Sequence, residues 1–163
     1  MADLDTFVKE IEASKERVVR AVVETHKAIA IKAYAMISAD SRETGLRYGS
    51  PVWSGRFRAS HTIAIGAPDT ATKPPNPDTV GAGATRWPDE PDGIYNAPPV
   101  SYAAQKLTAL KPFQIVYIAN ALPYARKIEL GHSKFKAPEG VYDVTAVAVG
   151  AQFRNVTIQR LGL

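Results

Sequence analysis

Cysteine is absent from this 163-residue chain. Its absence excludes a disulfide framework, a thiolate metal site and a cysteine nucleophile. A chain without thiols fits assembly in a reducing cytoplasm. The length is that of one domain, residues 1–163, and is sufficient to bury a core of its own.

Long apolar runs are absent too, because no stretch approaches the roughly 18 apolar residues that a membrane-spanning helix needs. The first residues, MADLD, are acidic, whereas a secretory signal peptide begins with basic residues. We therefore expect a soluble protein that is not exported and has no membrane partner.

The sequence also lacks a recognisable catalytic or metal-binding constellation. Its three histidines are His26, His61 and His132, and none has a second ligand at metal-binding spacing. Ser54 lacks the nucleophile-elbow pattern, and Ser133 is only a sequence neighbour of a histidine. The glycines at 81 and 83 lack the lysine of a phosphate loop. The sequence predicts no catalytic, cofactor or metal site, and no enzyme.

Charge is present but uneven along the chain, behind a formal net charge of +4. Residues 101–163 hold eight basic and three acidic side chains, whereas residues 67–100 hold two basic and five acidic ones. This asymmetry is compatible with a phosphate-facing surface, with complementary faces that meet in a ring, or with an ordinary solvated surface.

The N-terminal part has the periodicity of a long helix, with apolar residues every three or four positions from about residue 5 to 38. At 1.5 Å per residue this helix would be about 50 Å long, so it would overhang a domain of this size or bend around it. With its flanks it accounts for residues 1–40. A helix of this length invites contact with a neighbouring subunit.

Alternating patterns predict strands at 61–66 and 112–119. Eight of the twelve prolines lie between 68 and 99, which indicates an extended loop or arm inserted in the sheet region, with a short strand near Ile94 and Tyr95. Three further helical segments are predicted: 53–59, 102–110 with Ser101 as its cap, and 139 to at least 153. The fold class is therefore α+β, with a long N-terminal helix and a C-terminal helix packed on a small antiparallel sheet.

The most informative stretch is 117–142, YIANALPYARKIELGHSKFKAPEGVY. A strand ends at Asn120, Pro123 sets the first turn of a short helix, and Gly131 ends that helix. A basic loop and the sequence APEG follow. This order of a strand, a turn, a helix and a glycine-bounded loop predicts a compact corner that serves packing or contact with a partner.

Two segments together carry a resemblance to a known family. One is the corner, with A-x-P-Y-A, a charged pair, I-E-x-G and A-P-x-G; the other is SPVWSGRFRAS at 50–60, which looks like P-V-x-T/S-G-R-x-R-x-S. They resemble the neck or tail-completion family of long-tailed bacteriophages, which includes sequences like the minor tail protein Z. With the N-terminal helix, the likeness covers about two thirds of the chain.

The resemblance implies a structural virion protein that forms a ring, of six copies, at the head–tail junction. Its partners would be the tail tube protein and the head-closure or connector proteins, with non-specific contact to genomic DNA in the channel. Assembly would take place in the host cytoplasm. One alternative is a tail terminator that caps the tail tube, and another, from a different class, is a small basic nucleic-acid-binding module.

Subunit and partner contacts are expected at aromatic and charged residues of these segments and of the arm. They are Arg56, Arg58, Trp87, Tyr95, Tyr124, Arg126, Lys127, Glu129, Lys134 and Lys136. If 56–58 is extended, both guanidinium groups face one side and can pair with carboxylates of a neighbour or with Glu129. If it is helical, the two arginines splay apart. Tyr124 and Ile128 are also expected to pack in the core under the sheet.

Overall fold

The chain folds as an α+β protein, as the sequence predicts. The computed structural model describes residues 2–45, 47–52, 55–70 and 96–153. In chain order its elements are α1 (Ala2–Ser38), α2 (Arg56–Ala59), β1 (His61–Ile65), α3 (Val100–Lys106), β2 (Val116–Asn120), α4 (Ala125–Glu129) and α5 (Tyr142–Phe153).

Helix α1 has 37 residues and is therefore about 55 Å long. Asp3 and Asp5 lie in its first turn, where negative charge interacts favourably with the helix dipole. Every side chain from residue 3 to residue 20 is exposed, and the first buried one is Ala30. The C-terminal half of α1 thus packs on the domain, while the N-terminal half projects beyond it. The prediction of a long N-terminal helix is confirmed, and of the two alternatives, overhanging the domain or bending around it, the structure shows the first.

Strands β1 and β2 form a two-stranded antiparallel sheet, in which His61 pairs with Asn120 and Ile65 pairs with Val116. The predicted strand at 112–119 is wrong at its beginning, because β2 starts only at residue 116. Phe113 has a φ of 63°, in the left-handed region, so the backbone turns there instead of extending. The strand prediction at 61–66 is correct to within one residue.

The short helices differ from the predictions mainly at their ends. Helix α3 begins two residues before the predicted start, with Pro99 in the N-cap position and no side-chain cap, so the prediction of a Ser101 cap is wrong. The turn predicted at 53–59 is helical only in α2, and residues 53 and 54 lie outside the described part. Helix α5 extends to Phe153, as predicted.

Two apolar clusters share the C-terminal half of α1. The first joins α1 to β1 and α3 and contains Ala30, Tyr34, Ile63, Ala103 and Leu107. The second joins α1 to α2 and to the region after β2, and contains Ile37, Phe57, Leu122, Ala137 and Val141. Ile118 of β2 packs against both clusters. Tyr124 and Ile128, which were predicted to pack in the core under the sheet, are half-buried against the second cluster.

The Pro-rich segment is described only at its two ends, residues 68–70 and 96–99, which are neither helix nor strand. The strand expected near residues 94 and 95 lies outside the described residues, as does everything after residue 153. Among the helices of the described part, none is long and apolar enough to cross a membrane.

Candidate functional site

Glu129 ties the two halves of the 117–142 corner together. Its carboxylate accepts hydrogen bonds from the backbone N–H groups of Val141 at 2.8 Å, Tyr142 at 3.0 Å and Asp143 at 3.0 Å. These N–H groups belong to the first turn of α5, where no intrahelical acceptor exists and where the helix dipole favours an anion. The glutamate of I-E-x-G therefore acts as a remote cap for α5.

Two glycines allow the same corner to close. Gly131 and Gly140 have φ values of 78° and 82°, which side-chain-bearing residues rarely adopt. A Cβ atom at Gly131 would lie 2.5 Å from the carbonyl oxygen of Pro138, and one at Gly140 would lie 2.5 Å from the carbonyl oxygen of Glu129. The glycines of I-E-x-G and A-P-x-G are thus required by backbone approach as well as by φ.

A buried chain of hydrogen bonds connects β1 to three other parts of the fold. His61 Nδ1 lies 2.9 Å from the Tyr142 hydroxyl, and His61 Nε2 lies 2.7 Å from Ser50 Oγ. Ser50 Oγ in turn donates to the carbonyl oxygen of Ile37 at 2.6 Å. Because the serine proton is used there, Ser50 accepts from Nε2–H, and the Tyr142 hydroxyl donates to Nδ1. The histidine is therefore neutral, with its proton on Nε2.

This chain of hydrogen bonds has a structural role, although it places a serine hydroxyl beside a histidine ring. Ser50 is fully buried and His61 is 2% exposed, so no substrate can reach the hydroxyl. Burial lowers the pKa of His61 to about 3 and raises the pKa of Tyr142, with the charge of Glu129 as a smaller cause for the tyrosine. The sequence did not predict these hydrogen bonds, because Ser50, His61 and Tyr142 are brought together only by the fold. The one local signal was a histidine at the start of a strand.

A cavity of about 260 Å³ lies between the two segments that carry the family resemblance. One wall comes from the segment that includes α2 and the other from α4 and the loop after it. Its lining residues are Pro51, Gly55, Arg56, Phe57, Tyr124, Lys127, Ile128, His132, Ser133 and Lys136. We call its apolar lining residues, Phe57, Tyr124 and Ile128, the floor and its basic ones, Arg56, Lys127, His132 and Lys136, the rim. None of the described side chains that line the cavity is acidic.

The two segments also contact each other directly. Lys136 Nζ donates a hydrogen bond to the carbonyl oxygen of Val52, and Asn120 Nδ2 donates to the carbonyl oxygen of Phe57 at 2.9 Å. The rings of Phe57 and Tyr124 have their centroids 6.4 Å apart. Residues separated by 63 to 84 positions in sequence therefore build one local unit.

The structure brings together four of the predicted contact residues around the cavity: Arg56, Tyr124, Lys127 and Lys136. Arg126 and Lys134 are exposed on the same corner. Residues 87 and 95, predicted as contacts through Trp87 and Tyr95, lie outside the described part of the chain.

Of the two geometries that the sequence left open for Arg56 and Arg58, the structure shows the helical one, so the extended alternative, in which they could pair with Glu129, does not apply. Both arginines lie in helix α2, where their side chains splay, and the Glu129 carboxylate is bound by backbone N–H groups instead. The pKa of Asp40 is lowered mainly by its hydrogen bond with Arg42, and the charge of Arg58 is a smaller cause.

No group of three or more potential metal ligands occurs among the described residues. Comparisons of the chain with family models, with curated proteins and with solved structures found no match. The candidate site consists of the cavity and the corner that supports it.

Proposed function

We propose that this protein is a structural component of a tailed-bacteriophage virion, a neck or tail-completion protein that forms a ring at the head–tail junction. It acts by binding alone. The observation that carries the proposal is the contact between the two family-like segments, 50–60 and 117–142, through Lys136 with Val52 and through the shared cavity. The two segments that carry the resemblance lie against each other, which supports the proposal that they act as one unit.

The projecting half of α1 supports self-association. Its large apolar side chains are exposed in the single chain: Leu4, Phe7, Val8, Ile11, Val18 and Val19. They recur at three- and four-residue spacing and so share one helix face. A contiguous exposed apolar face marks a surface for protein–protein contact, because its burial is favourable by about 25 cal/mol per Å². In the proposed ring, this face packs on a neighbouring copy.

The test is electron microscopy of lysates from a phage that lacks the gene. Full heads separated from tails of normal length are the expected result and indicate a joining role. Overlong tails would indicate the alternative role of a tail terminator, because uncapped tubes continue to polymerise. Intact infectious particles would overturn both roles.

A second candidate function, nucleic-acid binding, is favoured by exposed basic side chains on the corner. Arg126, Lys127, His132 and Lys134 are all exposed, and phosphate contacts by such residues give affinity without sequence specificity. Fluorescence anisotropy with a duplex DNA separates the two candidates. Affinity that falls steeply with added salt would support DNA binding, and no binding at low salt would exclude it.

A further inference from the structure

The cavity at the corner has the properties of a docking site for a peptide segment. Its volume of about 260 Å³ is below the range of about 300–1,000 Å³ that is typical of small-molecule sites. A space of this size accommodates a large side chain. The floor, built from Phe57, Tyr124 and Ile128, suits an aromatic or aliphatic group.

The rim of the cavity defines the charge of its ligand. Lys127 and His132 are exposed there, and Arg56 is half-buried beside them. Lys136 contributes to the rim while its ammonium group binds the carbonyl oxygen of Val52. Since none of the described lining residues carries a carboxylate, the ligand that fits has an apolar side chain flanked by acidic groups.

The chain itself contains a segment of this chemistry. Residues 87–92 read WPDEPD, a tryptophan followed within five positions by three carboxylates. Two prolines restrict its backbone, which reduces the conformational entropy that is lost on docking. The surrounding residues 67–100 hold five acidic and two basic side chains, the opposite balance to residues 101–163, which supply most of the rim.

We propose that this cavity binds residues 87–92 of a neighbouring copy of the chain. The tryptophan lies on the aromatic floor, and the carboxylates lie against Lys127 and His132. The inference rests on the proposed ring, in which each copy gives an arm to the next and receives one in return. Because the arm and the cavity are different surfaces, the contacts between copies are head-to-tail, and every copy has the same orientation around the ring.

The absence of native cysteine makes disulfide cross-linking a clean test. One chain carries Gly93→Cys, next to the acidic segment, and a second carries Ser133→Cys in the cavity wall. Mixed under mild oxidation, they should form a heterodimer at least tenfold more efficiently than Gly93→Cys mixed with Ala104→Cys, whose position on α3 is exposed and does not line the cavity. Equal yields would overturn the proposal. A chain with both substitutions that cross-links only within itself would show that the arm occupies its own cavity, which also overturns it.

Peptide binding supplies an independent measurement. The probe is a fluorescein-labelled peptide of residues 84–96, and the receptor is the full chain carrying Trp87→Ala, so that its own arm competes less. Lys127→Glu in the receptor should weaken binding at least tenfold, as should replacement of the peptide's tryptophan by alanine. Lys111→Glu, an equivalent charge change at an exposed position outside the cavity, should leave binding unchanged.

Equal effects of the two lysine substitutions, or no binding of the peptide, would contradict docking at this cavity. Neither measurement involves phage particles. Failed docking together with separated heads and tails in the gene deletion would leave the proposed function intact, and docking with intact particles would contradict the function alone.

Discussion

His61 is the residue whose environment has the clearest consequence in solution. It is neutral in the folded protein because both ring nitrogens are held in a buried chain, Nδ1 by Tyr142 and Nε2 by Ser50. Protonation would place a charge in the interior and turn Nδ1 from an acceptor into a donor facing a hydroxyl that already donates to it. The fold therefore selects one protonation state and one tautomer.

This selection predicts a pH dependence of stability. The pKa of His61 is about 3 in the folded protein and about 6.5 in the unfolded chain. Between these values only the unfolded chain binds the proton, so the free energy of unfolding decreases as the pH falls, by about 1.4 kcal/mol per pH unit. Urea unfolding at pH 5 should give a value about 2 kcal/mol below that at pH 7.5, and the contribution of His61 should be constant above pH 7.

The matched variants are His61→Gln and His26→Gln. The first removes the buried imidazole, so it should lower stability at pH 7.5 and reduce the difference between the two pH values. The second replaces a half-buried histidine of α1 and should retain the difference. An unchanged pH dependence in His61→Gln would refute the assignment.

A second prediction at this scale concerns Glu129. Replacement by alanine leaves three N–H groups of the first turn of α5 without their charged acceptor, and hydrogen bonds to charged groups contribute about 1.5–3 kcal/mol. Glu129→Ala should therefore lower the free energy of unfolding by about 2–3 kcal/mol, as measured by urea titration. Glu139→Ala, at an exposed position of the same loop, should change it by less than about 0.5 kcal/mol. Similar values for the two variants would show that the remote cap contributes little.

At the scale of elements, the corner from α4 to α5 is held by backbone approach as much as by side chains. Gly140 and Gly66 have the same φ of 82°, but they differ in surroundings. A Cβ atom at Gly140 would meet the carbonyl oxygen of Glu129 at 2.5 Å, whereas nothing lies within 4 Å of one at Gly66. A comparison of substitutions at these two glycines therefore separates the free-energy cost of a side chain at positive φ from the cost of a steric clash.

Alanine substitution at the two glycines should therefore have unequal effects. Gly66→Ala should destabilise the protein by about 1 kcal/mol, because a side chain is placed at positive φ. Gly140→Ala should lose a further 1–3 kcal/mol, roughly, because the clash is with backbone and forces α4 and α5 apart. Thermal and urea unfolding measure both variants, and equal losses would mean that the corner relaxes without strain.

The elements differ in how far local sequence determines them. Helix α1 was predictable because its apolar periodicity is long and uninterrupted. The beginning of β2 was not, because Phe113 adopts a left-handed φ that no residue-level preference indicates. The N-terminus of α3 was mispredicted since serine is the usual cap, yet Pro99 stands in that position.

In the candidate site, too, local sequence predicts some features and not others. Its segments were identified from their motifs, but the sequence left open whether Arg56 and Arg58 lie on extended or helical backbone, and only the structure places them in α2. The role of Glu129 and the chain from Tyr142 through His61 to Ser50 depend on contacts between residues distant in sequence. Local sequence patterns do not predict such contacts.

At the scale of the whole molecule, the domain divides into a packed body and a projecting helix half. The body has two apolar clusters around the C-terminal half of α1, whereas residues 3–20 are exposed throughout. Most helical stability in proteins comes from packing of an apolar face, so the projecting half gains stability when a partner covers that face. In the proposed ring, the surface that contacts the neighbouring copy is thus already helical in the single chain.

Substitutions on opposite faces of this half test the assembly role. Ile11 belongs to the exposed apolar face and Ala13 lies on the other side of the helix, so Ile11→Asp and Ala13→Asp add the same charge in different directions. Both should change the free energy of unfolding of the single chain by less than about 1 kcal/mol, because both sites are exposed. In a phage that lacks the gene, Ala13→Asp should restore joined particles and Ile11→Asp should not, since its charge would be buried against the neighbouring copy. Complementation by both variants would mean that the apolar face of α1 is not part of the ring.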